Sequence, residues 1–160
     1  MVALTEAVNY EDIVKRLSKK DRIAIVSCNT CVRFIGTGGE GKIDELASRL
    51  RNDGFTVTDQ VLVTMGCVEQ YLRDLHISTA VNKIIVLACK AGIANARRVF
   101  PDKEIIGGTK TKGLVVLHRE LGVEKLMMAY KEYKGDVGKE YALFTGEEQR
   151  EEKIKMEVEK

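Results

Sequence analysis

Short runs of β-branched residues alternate along this chain with apolar positions spaced for helices. Arg22 to Ser27 carries Ile23, Ala24, Ile25 and Val26 in succession, the pattern of a strand buried on both faces of a parallel sheet. Phe55 to Val63, carrying Phe55, Val57, Val61 and Val63, is a second strand; Lys83 to Ala88 (Ile84, Ile85, Val86, Leu87) is a third with the strongest buried-strand signal, and Glu104 to Ile106 is a short fourth. Helical spacing lies between them. Ile13, Val14 and Leu17 mark one side of a helix over Tyr10 to Lys19. Ile43, Leu46, Ala47 and Leu50 stand at i, i+3, i+4 and i+7 of a helix from about Lys42 to Asn52, which Asn52-Asp53-Gly54 ends. Val68, Tyr71, Leu72 and Leu75 repeat the spacing, and a helix from about Gly92 to Phe100 stops at Pro101. Gly107-Gly108 and Gly113 bracket a loop, and Leu121 to Tyr133 is expected to be a last core helix.

This rhythm predicts an α/β fold with a parallel sheet of about four strands flanked by helices. Right-handed crossovers narrow it to a flavodoxin-like or Rossmann-like order. Residues 1–134 form the cysteine-bearing α/β domain of this reading, and residues 135–160 a charged C-terminal arm. From Glu147 to Lys160 the only apolar residues are Ile154, Met156 and Val158, at alternate positions. The segment reads as a solvated tail, or as an arm that orders on a partner and is anchored by Tyr141, Leu143 and Phe144.

Composition adds limits. The chain has 160 residues, 44% of them apolar and 31% charged, which suits one sizeable core. A net charge of +2 is too mild to point to nucleic acid. No apolar run is long enough to span a membrane. The start, Met1-Val2-Ala3-Leu4-Thr5-Glu6, lacks the basic and apolar regions of a secretory signal, so a cytoplasmic protein is expected. There, thiols stay reduced, and the four cysteines read as metal ligands or redox groups.

The predicted strands place those cysteines. Cys28 follows the first strand and Cys31 lies in the same turn; Cys67 lies just beyond the second strand, and Cys89 follows the third. All four fall at the carboxyl ends of parallel strands, the edge where open α/β sheets bind ligands. A C-x-x-C turn directs two sulfurs to one metal, and two further thiolates complete an all-cysteine shell for zinc or for the corners of an iron–sulfur cubane. The bland alternative makes Cys67 and Cys89 small buried residues. A thioredoxin-like dithiol would need a helix opening directly at Cys31, whereas Val32-Arg33-Phe34-Ile35 leads into a glycine cluster.

Gly36-Thr37-Gly38-Gly39-Glu40-Gly41 satisfies G-x-G-x-x-G, precedes a helix, and has Asp59 18 residues beyond Gly41. For a dinucleotide or flavin site the first glycine should follow the strand directly, yet Cys28 to Ile35 intervene. As a phosphate loop it has Ile43 where a Ser or Thr should bind magnesium. The simpler expectation is that Gly36, Gly38 and Gly39 shape the pocket round a cluster and donate N–H groups to its sulfurs. His76 and His118 read as surface or core-edge residues. Lys90, Lys110 and Lys112 lie near the same edge, where they either favour an anionic cluster or partner or, as is usual for loop lysines, are simply solvated.

Cys28-Asn29-Thr30-Cys31, Gly36-Thr37-Gly38-Gly39 and Gly54-Phe55-Thr56-Val57, followed by Ala88-Cys89-Lys90-Ala91-Gly92-Ile93 and Phe100-Pro101, resemble the C-terminal domain found with methylenetetrahydrofolate reductases. In acetogenic bacteria and some archaea that domain is a separate small subunit beside a flavin-bearing catalytic subunit. The resemblance runs from about Ile23 to Gly113. It implies a metal or iron–sulfur centre on Cys28, Cys31, Cys67 and Cys89, and a role in passing electrons to the flavin subunit. The sequence departs from the family in carrying Lys90 where a glycine is common, and it lacks the extra cysteines of longer members. The resulting expectation is a non-catalytic, electron-transferring subunit with one [4Fe-4S] cluster. The alternatives are a structural zinc scaffold or a nucleotide- or flavin-binding domain that uses the Gly36–Gly41 loop.

Overall fold

The computed structural model describes residues 1–143. The highly charged segment from Glu147 onward, with Phe144 before it, lies outside the described residues.

Two sheets share the chain. One is parallel, built from β2 (Arg22–Cys28), β3 (Thr56–Val63), β4 (Lys83–Leu87) and β5 (Glu104–Gly107) in the order β3-β2-β4-β5. The other is antiparallel, built from β1 (Val2–Ala7), β6 (Thr109–His118), β7 (Val123–Ala129) and β8 (Glu140–Ala142) in the order β1-β6-β7-β8. The expected fold class, one parallel sheet of flavodoxin-like or Rossmann-like order, is therefore corrected: half the strands belong to a second, antiparallel sheet.

The physical reason lies in the last third of the chain. Leu121 to Tyr133 is rich in good helix formers (Leu, Lys, Glu, Met, Ala), so local propensity favours a helix. The structure instead turns at Gly122 (φ +64°) and runs back as β7 along β6, with a 3₁₀ turn at Lys131–Asp136. Burying Val115 and Leu126 against Leu4 outweighs the helical preference. Strand alternation is hidden because Glu124 sits at a buried position and a bulge between Leu114 and Val115 shifts the register. The predicted loop from Gly107 to Gly113 is likewise strand, because β6 pairs with β1 on one side and β7 on the other.

In the parallel sheet, local pattern and structure agree closely. Successive residues of β2 point to opposite faces. Ile23 and Ile25 pack with Ile43, Ala47 and Leu50 of α3 (Glu40–Asn52) and Ile13 of α1 (Tyr10–Val14). Ala24, Val26 and Cys28 pack with Val32 of α2 (Cys31–Ile35), Leu72 of α4 (Glu69–Arg73) and Ile93 and Ala96 of α5 (Lys90–Val99). Helices thus cover both faces, which is why the central strands β2 and β4 read as continuous apolar runs, whereas the edge strand β3 alternates. The two sheets meet at the carboxyl ends of β4 and β5. There the Gly108 N–H donates to the Val86 carbonyl (2.9 Å), the Val8 N–H donates to the Gly108 carbonyl (2.9 Å), and the Thr109 hydroxyl donates to the Ala88 carbonyl. Cys89, two residues beyond β4, lies at this seam.

Candidate metal centre at the sheet edge

Each cysteine is delivered by a separate backbone event. Cys28 is the last residue of β2 and only 4% exposed. Cys31 opens α2 and is half-buried; Cys67 lies in the loop from β3 to α4 and is exposed; Cys89 precedes α5 and is half-buried. All four are free thiols. The helix at Cys31 differs from the sequence expectation. Val32, Phe34 and Ile35 are weak helix formers, but the Thr30 carbonyl accepts the Arg33 and Phe34 N–H groups and left-handed Gly36 ends the turn.

Close backbone packing brings the Cys67 loop to Cys28. The Cys28 sulfur accepts the Gly66 N–H (3.4 Å), lies 3.0 Å from the Thr30 hydroxyl, and donates to the Thr64 carbonyl (3.9 Å). Gly66 rests on Gly92 in the first turn of α5: a Cβ added at Gly92 would stand 2.8 Å from Ala88 Cβ and 3.4 Å from the Gly66 carbonyl carbon. Asn95 of α5 then donates to the Gly66 carbonyl (3.2 Å). Sequence reasoning passed over Gly66 and read Gly92 only as a helix start and a motif residue; their positions one residue before Cys67 and three after Cys89 were the available signal.

The thiols feel one another. Burial pushes the Cys31 thiol up first, a hydrogen bond with the Ala3 backbone opposes it, and the charges of Cys89 and Cys28 raise it further. Cys67 is pushed up by partial burial and then by the charges of Cys89, Cys28 and Cys31. Mutual repulsion of this kind is what a bound cation relieves, and four sulfurs are a donor set that suits zinc or an iron–sulfur cluster. The chemistry of the set fits such a group. The spacing is wider than a closed shell: among the described residues no three His, Cys, Asp or Glu side chains stand close enough to hold one ion. The structure gathers the four cysteines on one edge without joining their sulfurs.

The glycine loop is built for the helix joint beside this edge. Gly36 has φ +81° and Gly39 has φ +94°. A Cβ at Gly38 would lie 2.4 Å from Val32 Cγ2 and 2.7 Å from Ser27 Oγ. The Gly36 and Gly38 N–H groups donate to the Arg33 and Val32 carbonyls, and the Gly39 N–H donates to Ser27 Oγ (2.7 Å). These three donors are spent on the α2–α3 joint, and the N–H that reaches a cysteine sulfur belongs to Gly66. Asp59, the acidic residue of the dinucleotide pattern, accepts the Ser78 N–H (2.9 Å). His76 and His118 are both exposed, and Lys112 pairs with Glu6 at 3.0 Å. Among the described residues no helix is long and apolar enough to cross a membrane.

Comparison with known protein families, with curated proteins and with solved structures finds no match.

Proposed function

We propose that this chain holds one metal centre on Cys28, Cys31, Cys67 and Cys89 and serves as a non-catalytic electron-transfer subunit. The centre is one [4Fe-4S] cluster. The partner is the flavin-bearing subunit of a methylenetetrahydrofolate reductase, in the cytoplasm. The observation that carries the reading is the delivery of four free thiols, from three separate strand ends, to the carboxyl edge of one parallel sheet. The order of C-x-x-C, Thr-Gly-Gly and strand-end Cys, which resembles that of the reductase-associated domain, supports the choice of partner.

Such a cluster supplies one-electron chemistry when bound. The chain's own residues do the holding. The Gly66 N–H and the Thr30 hydroxyl fix the Cys28 sulfur, and the Gly66–Gly92 contact sets the Cys67 loop on α5. Exposed Cys67 marks the side open to a partner.

The test is metal and acid-labile sulfide content of protein purified without oxygen, with its visible spectrum. Iron and sulfide near about four per chain with a brown colour are expected, and each single Cys→Ser variant should lose most of the metal. One zinc in a colourless sample would replace electron transfer with a scaffold role. A quadruple Cys→Ser protein that still passes electrons to its partner would overturn the reading.

A further inference from the structure

A second feature of the same edge goes beyond the metal centre. A cavity of about 300 Å³ opens where the antiparallel sheet faces the start of α5. Ala3, Leu114 and Met128 form its apolar wall, Cys89 and Lys90 its opposite side, and Tyr130 its rim. Its size is at the small end for ligand sites, with room for one or two fused rings. Met128 is 59% exposed and Tyr130 41% exposed, large apolar groups left open beside a concave apolar wall.

One charge faces this wall. The Lys90 ammonium stands 4.5 Å from the centre of the Tyr130 ring, and among the described residues no carboxylate pairs with it. The Lys90 backbone N–H is held by Thr111 Oγ1 (2.8 Å), which ties the first turn of α5 to β6 and fixes the base of the side chain. A lone ammonium at the mouth of an apolar cavity selects a ligand with an apolar body and one negative charge. The Tyr130 ring at the rim favours a flat aromatic body that can lie beside it.

The geometry points to a binding site for a small aromatic anion in the seam between the two sheets, its ring against the wall of Ala3, Leu114 and Met128 and its charge at Lys90. A ring bound there lies against Cys89. The pocket is built mostly from residues that are not metal ligands, so the inference stands apart from the metal reading.

The test is titration of the full chain with 2-naphthoate, followed by calorimetry and backbone amide NMR, on metal-free and metal-loaded protein. Saturable one-to-one binding is expected, with shifts concentrated at Ala3, Lys90, Thr111 and Ala129. Lys90→Glu should weaken binding at least about tenfold, and the neutral naphthalene-2-carboxamide should bind more weakly than the carboxylate. Ala91→Trp, at an exposed position on the cavity wall, should block binding while leaving metal content and circular dichroism unchanged. Equal affinity for wild type and Lys90→Glu, shifts elsewhere on the protein, or no saturable binding would overturn the inference. Loss of naphthoate binding with metal intact removes this site alone; absence of metal with naphthoate bound removes only the metal centre.

Discussion

Glu124 shows how much one residue can disguise and how it can be tested. It lies on β7, opposite Leu117 of β6 and Tyr141 of β8 in the register, and is only 2% exposed. Its Oε2 has no hydrogen-bond partner among the described residues, and burial pushes the carboxyl up to about 7 from 4.5. Below the unfolded value both states hold the proton and nothing is lost. Between about 4.5 and about 7 the unfolded chain releases its proton first, so stability falls as pH rises, by on the order of 3 kcal/mol in all. The lowered carboxyls act in another window. Lys83 holds Glu104 below its usual value, Lys112 does the same for Glu6, and their contributions are lost only as pH falls through those lowered values. Thermal melts from pH 5 to pH 8 should therefore show a decline that Glu124→Gln removes. An equal decline in the variant would assign it to other groups.

At the scale of elements, the antiparallel sheet depends on close backbone approach at Gly113. This residue pairs with Leu4 on one side and Ala129 on the other. A Cβ there would fall 1.9 Å from the Met128 carbonyl oxygen and 2.8 Å from Ala129 Cα, backbone atoms that cannot step aside without parting β6 from β7. Gly113→Ala should cost at least about 3 kcal/mol in urea denaturation. Gly135→Ala, where the added methyl meets open space, should leave the midpoint nearly unchanged. Similar midpoints for the two variants would contradict the packing described. Because Gly113 also lines the seam cavity, its substitution should weaken naphthoate binding together with stability.

For the whole molecule, the sheet-edge arrangement grades the four thiols by access. Cys67 is exposed, Cys31 and Cys89 are half-buried, and Cys28 is sealed beneath the Gly66 loop. In reduced, metal-free protein, iodoacetamide should modify Cys67 first and Cys28 last, with Cys28 at least about tenfold slower because it waits for local opening. Peptide mapping by mass spectrometry reads the order. Loading with iron and sulfide, or with zinc, should slow all four together. Cys28 reacting as fast as Cys67 would deny its burial, and protection of some thiols without the others would deny a shared centre.

Much of this was legible along the chain, for reasons that differ by region. The runs at Ile23–Val26 and Ile84–Leu87, and the spacing of Ile43, Ala47 and Leu50, are local patterns that buried strands and an amphipathic helix impose on their own residues. The order of the parallel strands and of the helices between them, α2 apart, therefore emerged from the sequence alone, as did the placement of the cysteines after the ends of three strands. The antiparallel sheet did not. Its strands come from opposite ends of the chain, and Val2–Ala7 declares itself only when Thr109–His118 lies beside it. The helix formers of Leu121 to Ala129 follow the neighbouring strand rather than their own preference. The close pairing of Gly66 with Gly92, the cavity beside Cys89 and the buried carboxyl of Glu124 likewise arise from contacts between distant segments. Tertiary structure decided these, because burial and backbone approach depend on what a segment meets and not on its own pattern.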